Sequence, residues 1–282
     1  AYAQAGAPMG VILANIAFIS VSLLTTEESF LTWGWRIPFI ISFVLVIISM
    51  YIQLKLEDTK AFKELEAAKE SDEDGSKVIK TSPILEALKR YPKRISLAAG
   101  AFLSVQVTFY ILVAFVLAYG VETTDLSRND LLTAVLIGSA IMVPTQFFFS
   151  DYSDKKGRKG IFMAGALLTA IWAFFLFPLI DSGNFFLVIL GVTGGLTFLG
   201  MMYGPQAAFF AELFTTEVRY SGASLGYQIG AIIGGSFAPT IATLLWTSYD
   251  IFWVSVYIAT ASIASLVSVY FLTETYKTNL NE

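Results

Sequence analysis

Apolar residues fall into eight runs: Ala3–Leu24, Ile37–Leu54, Leu97–Val121, Leu131–Phe149, Ile161–Ile180, Phe185–Phe210, Ser221–Trp246 and Phe252–Leu272. Each has roughly the length, about 20 residues, that a helix needs to cross the hydrocarbon core of a bilayer. Inside lipid a backbone must satisfy its own hydrogen bonds, so the runs predict eight transmembrane helices. The sixth and seventh are long enough to tilt or to extend beyond the hydrocarbon.

The polar stretches between the runs set the orientation. Sixteen of the 18 Lys and Arg lie on one set of connections and at the chain's end, while Arg36 and Arg128 alone lie on the opposite set. The positive-inside rule puts the cation-rich side in the cytoplasm, together with both ends of this chain. Asp151–Gly160, with Lys155, Lys156, Arg158 and Lys159, reads as a tight ten-residue cytoplasmic hairpin. The longest connection, Glu57–Arg94, begins with alternating charges over Glu57–Lys80, which predicts a solvated, partly helical linker. Its final part, Ser82–Pro92, has Pro at a helix start and apolar residues at helical spacing. That pattern predicts a short amphipathic helix on the inner membrane surface.

Composition narrows the function. Only 14% of residues are charged and the mean hydropathy is +0.68, against about 25% charged in soluble domains. The chain therefore belongs in a bilayer. It has no Cys and no His, which excludes disulfides, thiol chemistry, and His-based metal sites or proton relays within it. No basic groove interleaved with aromatics suits nucleic acid. No phosphate-cradling G-x-x-x-x-G-K-[ST] occurs, so an ion gradient rather than a nucleotide would supply energy. No set of nucleophile, base or metal ligands indicates an enzyme, and nothing indicates a cofactor. The first run starts almost at once, with no basic flank and no cleavage pattern, so it does not read as a signal peptide.

Four stretches carry a resemblance. Asp154-Lys155-Lys156-Gly157-Arg158-Lys159 resembles the D-R-x-G-R-R loop signature of the major facilitator superfamily. Trp33-Gly34-Trp35-Arg36-Ile37-Pro38-Phe39 is similar to the G-W-R-I-P-F signature of its metabolite:proton symporter branch, which carries shikimate, α-ketoglutarate, citrate, or proline and betaine. Leu56–Phe62 is similar to that branch's L-E-E-S-P-x-F exit from the sixth helix, and Ala211–Tyr227 to its A-E-L-F-P-T-x-V-R-Y-x-G-A-S-L-G-Y stretch. Ser150 stands where Gly is usual, and Thr215 where Pro is usual.

The resemblance covers essentially the whole chain. It implies an all-α membrane protein of major facilitator fold, with eight of twelve helices present in a 6 + 6 arrangement. Residues 1–56 would be the last two helices of the N-terminal bundle, 57–94 the cytoplasmic linker, and 95–282 the complete C-terminal bundle. The chain is thus expected to be the remainder of a longer protein with four preceding helices. The implied function is a secondary transporter of the cytoplasmic membrane, moving a small organic acid or zwitterionic metabolite by alternating access with proton symport. A facilitative sugar carrier is the alternative within the superfamily, and a non-transporting sensor or channel the alternative outside it. The implied partners are the lipid bilayer, the substrate, a proton and the missing helices.

Three groups of residues are candidates for this work. Gln106, Tyr110, Gln146, Tyr203 and Gln228 are polar groups within apolar spans and are expected to line the substrate cavity, since buried amides need partners. Asp154, Arg158, Glu212 and Arg219 are expected to form a cytoplasmic gate. In it Glu212 would pair with Arg158 or Arg219 when the carrier faces outward. Gly222, Gly226, Gly230 and Gly234 recur every four residues and predict close helix packing. No Asp, Glu, Lys or Arg lies near the middle of any run. The titratable group for a proton is therefore expected in the missing helices, or the coupling is not to protons.

Overall fold

The computed structural model describes residues 2–55, 83–215 and 218–275. The expected linker Glu57–Lys80, the Leu56–Phe62 stretch, Glu217 and Lys277 lie outside the described residues. Eight helices among the described residues are long and apolar enough to cross a membrane. They begin and end close to the runs seen in the sequence. The helices are α1 (Tyr2–Leu24), the short α2 (Glu27–Thr32), α3 (Ile37–Lys55) and α4 (Pro83–Arg90). There follow α5 (Pro92–Thr123), α6 (Arg128–Lys156), α7 (Arg158–Asp181), α8 (Phe185–Glu212), α9 (Arg219–Ser248) and α10 (Ile251–Phe271).

The chain divides into two compact units, residues 20–82 and residues 1–19 with 83–282. In the smaller unit the Thr26 side chain caps α2 by accepting from the Ser29 N–H at 3.3 Å. A 3-10 turn, Gly34–Arg36, then leads into α3. Arg36 donates to the Thr32 carbonyl at 2.5 Å and lies over the Trp35 ring at 4.5 Å. That pairing of cation and indole suits a membrane interface.

In the larger unit the long helices pack in the order α9, α5, α10, α7, α8, α6, each against the next. Phe102, Phe162, Phe177 and Phe209 are fully buried between them. Small residues set two close backbone seams. A Cβ on Gly204 of α8 would lie 2.4 Å from the Gln146 carbonyl of α6. On α9, Cβ atoms at Gly226 and Gly230 would lie 2.7 Å from the Ala98 Cβ and the Ala99 carbonyl of α5. A Cβ on Gly234 would lie 3.1 Å from the Leu103 carbonyl, whereas Gly222 clears space for Phe214. Both α5 and α9 widen into one π-helical turn, Ile111–Phe115 and Ile232–Ser236, a feature found often at functional sites.

The ten-residue hairpin needs correcting. Helices α6 and α7 run through nearly all of Asp151–Gly160, and Gly157 alone separates them. Asp151 and Lys155 pair at 2.6 Å one turn apart, and Lys155 and Lys156 suit the negative end of a helix dipole. Charge thus extends the helix where polarity alone suggests a loop. Gly157, at φ 110°, adopts backbone angles that other residues rarely tolerate and turns the chain.

The short amphipathic helix is present as α4, with Ala87 buried and Ile84, Leu85 and Leu88 exposed. It is tied down just beyond its end. Arg94 donates to the Leu213 carbonyl at 2.6 Å, Tyr91 stacks edge-on against Phe214, and the Tyr91 hydroxyl donates to Thr215 Oγ1 at 3.4 Å. Thr215, where the resembling stretch has Pro, thereby gains a partner.

Candidate functional site

Two polar features stand out in the larger unit. The first lies at the cation-rich end, where α6, α7, α8 and the residues after α10 meet. Arg158 Nε and Nη2 donate to the two Glu212 carboxylate oxygens at 2.7 and 2.8 Å, and Arg158 Nη1 donates to Asp154 at 2.6 Å. The Arg158 and Glu212 side chains are each only 10% exposed, while Asp154 is 55% exposed. A two-pronged guanidinium–carboxylate contact is both strong and geometrically demanding. Of the two cations considered for Glu212, Arg158 makes this contact. Arg219 Nε donates to the Phe214 carbonyl at 3.4 Å.

Two members of this cluster escape a sequence reading. Gly157 precedes α7 and has no side chain to cap it, and Glu274 does so from beyond α10. Its carboxylate oxygens accept from the Arg158 and Lys159 backbone N–H groups at 2.9 and 3.1 Å. Thr275 donates its hydroxyl to Glu212 at 2.6 Å, and Lys159 Nζ donates to the Tyr270 and Leu272 carbonyls. The uncapped glycine start is the one sequence signal that a distant acceptor was needed. Glu274→Gln keeps a single acceptor and removes the charge at the positive end of α7. It is expected to destabilise the protein by about 0.5–2 kcal/mol, read as earlier thermal unfolding.

The second feature is a cavity of about 150 Å³ lined by Gln106, Phe109, Tyr110, Tyr203 and Tyr227, with Ala7 of α1. Tyr203, Tyr227 and Tyr110 share this wall. Gly235 makes room for Tyr110 and Gln106, since a Cβ there would sit 2.8 Å from the Tyr110 ring and 3.2 Å from the Gln106 amide nitrogen. Among the described residues the cavity thus presents an amide and three phenols and no ionised group, which suits a neutral or hydrogen-bonding part of a ligand.

Three of the five expected cavity residues, Gln106, Tyr110 and Tyr203, come together here. Gln146 does not, because it is fully buried at the α6–α8 seam, where its backbone meets Gly200 and Gly204. Gln228 is exposed and lines neither this cavity nor the one below. A larger cavity of about 490 Å³ is lined by Gln4 of α1, Gln206 and Phe210 of α8, and Arg219 and Ala223 of α9.

A profile described as Major Facilitator Superfamily matches residues 1–226. The chain is 34% identical over 281 residues to the inner membrane metabolite transport protein YhjE of Escherichia coli (strain K12), which covers 97% of this chain and 62% of that protein. It is 31% identical over 261 residues to the shikimate transporter of the same strain (90% and 57%). With that strain's proline/betaine transporter the identity is 26% over 275 residues (96% and 54%). These relatives are matched over little more than half to about three fifths of their length. A solved D-xylose-proton symporter superposes with a TM-score of 0.67 at 18% identity, covering 99% of this chain and 64% of that one. A likeness at that identity speaks for the fold alone.

Proposed function

Since this chain belongs to the major facilitator superfamily, we propose that it forms part of a secondary transporter. The transporter moves a small organic acid or zwitterionic metabolite across the cytoplasmic membrane by alternating access, with proton symport. The observation that carries the reading is the Gln106–Tyr110–Tyr203–Tyr227 cavity, a hydrogen-bonding pocket set among apolar spans. Buried polar groups in lipid are expensive and mark substrate paths. Relatives named for shikimate and for proline and betaine support the substrate class.

Residues 1–56 serve as the last two helices of one bundle and residues 95–282 as the other bundle. The remaining wall of the cavity, and the titratable group for a proton, lie outside this chain, which has no charge near the middle of any span. The cation-rich end faces the cytoplasm. There the Asp154–Arg158–Glu212 contacts hold that end closed while the carrier faces outward, and they open when it faces inward.

The cavity is tested in proteoliposomes holding the full-length protein. Gln106→Leu and Tyr203→Phe each remove one hydrogen-bonding group from the substrate, and each is expected to raise KM about tenfold. An unchanged KM in both variants would place the substrate elsewhere.

A further inference from the structure

Among the described residues the two cavities have one wall residue in common, Tyr227 of α9. Each helix that lines both moves by about one turn between them. From the small cavity to the larger one, the wall passes from Tyr203 to Gln206 on α8, from Tyr227 to Ser224 on α9, and from Ala7 to Gln4 on α1. Three residues are about 4.5 Å along a helix axis. On α8 this step runs toward the helix's end, and on α9 and α1 toward the helix's start. As the first and seventh spans, α1 and α9 cross a membrane in one direction and α8, the sixth, in the other. All three steps therefore lead the same way, and the cavities lie end to end with Tyr227 at their junction. Packing holds its ring in place. Phe102 of α5, fully buried, lies 4.2 Å from the Tyr227 ring and 6.3 Å from the ring of Phe210, which lines the larger cavity. The α9 backbone is fixed on that side by the close approach of Gly226 and Gly230 to α5. The ring alone can turn, on its own two χ angles.

We propose that the two cavities are successive parts of one solute path and that the Tyr227 ring is the partition between them. Stacked on Phe102, the ring shuts off the hydrogen-bonding pocket of Gln106, Tyr110 and Tyr203 from the larger space. That space is walled by small and apolar side chains, Ala207, Phe210 and Ala223 among them. A swing of the ring joins the two. Tyr227 is thereby a gating residue: the other pocket groups hold the solute, and the ring sets when it leaves. What passes the ring rests on the transporter reading. The partition itself rests on the geometry alone.

The test is thiol labelling of the full-length protein, cleared of any Cys outside this chain, in sealed membrane vesicles with a membrane-impermeant maleimide. Lys156→Cys, exposed at the end of α6, identifies the vesicle orientation that presents the cation-rich end. In that orientation Ala223→Cys reports the larger cavity and Ala7→Cys the small one. Ala7→Cys is expected to label at least tenfold more slowly than Ala223→Cys. Adding Tyr227→Ala, or the milder Tyr227→Leu, should bring the two rates within threefold, whereas Tyr227→Phe keeps the ring and the lag. Unchanged labelling of Ala223→Cys in these backgrounds shows that the fold is intact. Equal rates with Tyr227 in place, a lag that survives both truncations, or no labelling of Ala223→Cys would each overturn the partition. Uptake is measured on the same vesicles. Uptake without the lag removes the partition alone, whereas the lag and its loss on truncation without any uptake support the partition and remove the transporter reading.

Discussion

Arg158→Ala is expected to reduce uptake by the full-length protein at least tenfold. The substitution leaves Glu212, a carboxylate with a 10%-exposed side chain, without its two guanidinium bonds. Breaking one partner out of a buried ion pair typically costs about 3–5 kcal/mol. If that loss falls mainly on the outward-facing packing, the balance between the two packings moves by more than about a hundredfold. Thr275 continues to donate to Glu212, but a hydroxyl carries no charge. Arg158→Lys restores the charge without the fork, so a smaller loss is expected. Arg158→Glu combined with Glu212→Arg should recover part of the uptake that either change alone destroys. This chain has no native Cys, so in a full-length protein cleared of any Cys outside it, a single Cys placed at Ala223 reports which way the carrier faces through its rate of thiol labelling. Unchanged labelling and uptake in Arg158→Ala would show that the cluster anchors the helices and does not switch.

The second large effect concerns packing. Gly204→Ala is expected to destabilise the protein by roughly 1–3 kcal/mol, and Gly204→Val by more, because overpacking a closed seam forces backbone to move. The added Cβ would lie 2.4 Å from a backbone carbonyl, which has no rotamer by which to retreat. Gly160→Ala is the matched control. It sits in α7 with nothing within 4 Å of its new Cβ, so it should be neutral or stabilise by about 0.5–1 kcal/mol. Thermal unfolding of the two variants in one detergent separates them. Equal unfolding temperatures would mean that α6 and α8 do not approach this closely.

What could be read before the structure follows from the physics of each feature. The spans were legible because lipid imposes a length and a composition. The glycine stripe on α9 was legible because its period of four matches one helix face, and three of its four members meet α5. That Glu212 needs a cation followed from its position after a long apolar run. The phase of an apolar helix was not legible, because no polar face marks which side points inward. Polarity alone therefore points Gln146 at the cavity, although the Gly200–Gly204 surface that receives it comes more than fifty residues later. Gln228 suffers from the same ambiguity. Glu274 follows the last apolar run with no periodic neighbours, and only the three-dimensional approach of α10 to the start of α7 gives it a role. Charge alone predicts too long a hairpin because charged residues signal solvent, and here they signal a helix end with paired charges.

The central claim, that this chain is part of a gradient-driven carrier, is tested most directly by uptake into proteoliposomes holding the full-length protein. Labelled organic acids, betaine and proline are offered with and without an inward proton gradient. The account predicts that at least one of them accumulates above its external concentration only when the gradient is imposed. Equilibration at the same rate with or without the gradient would contradict it.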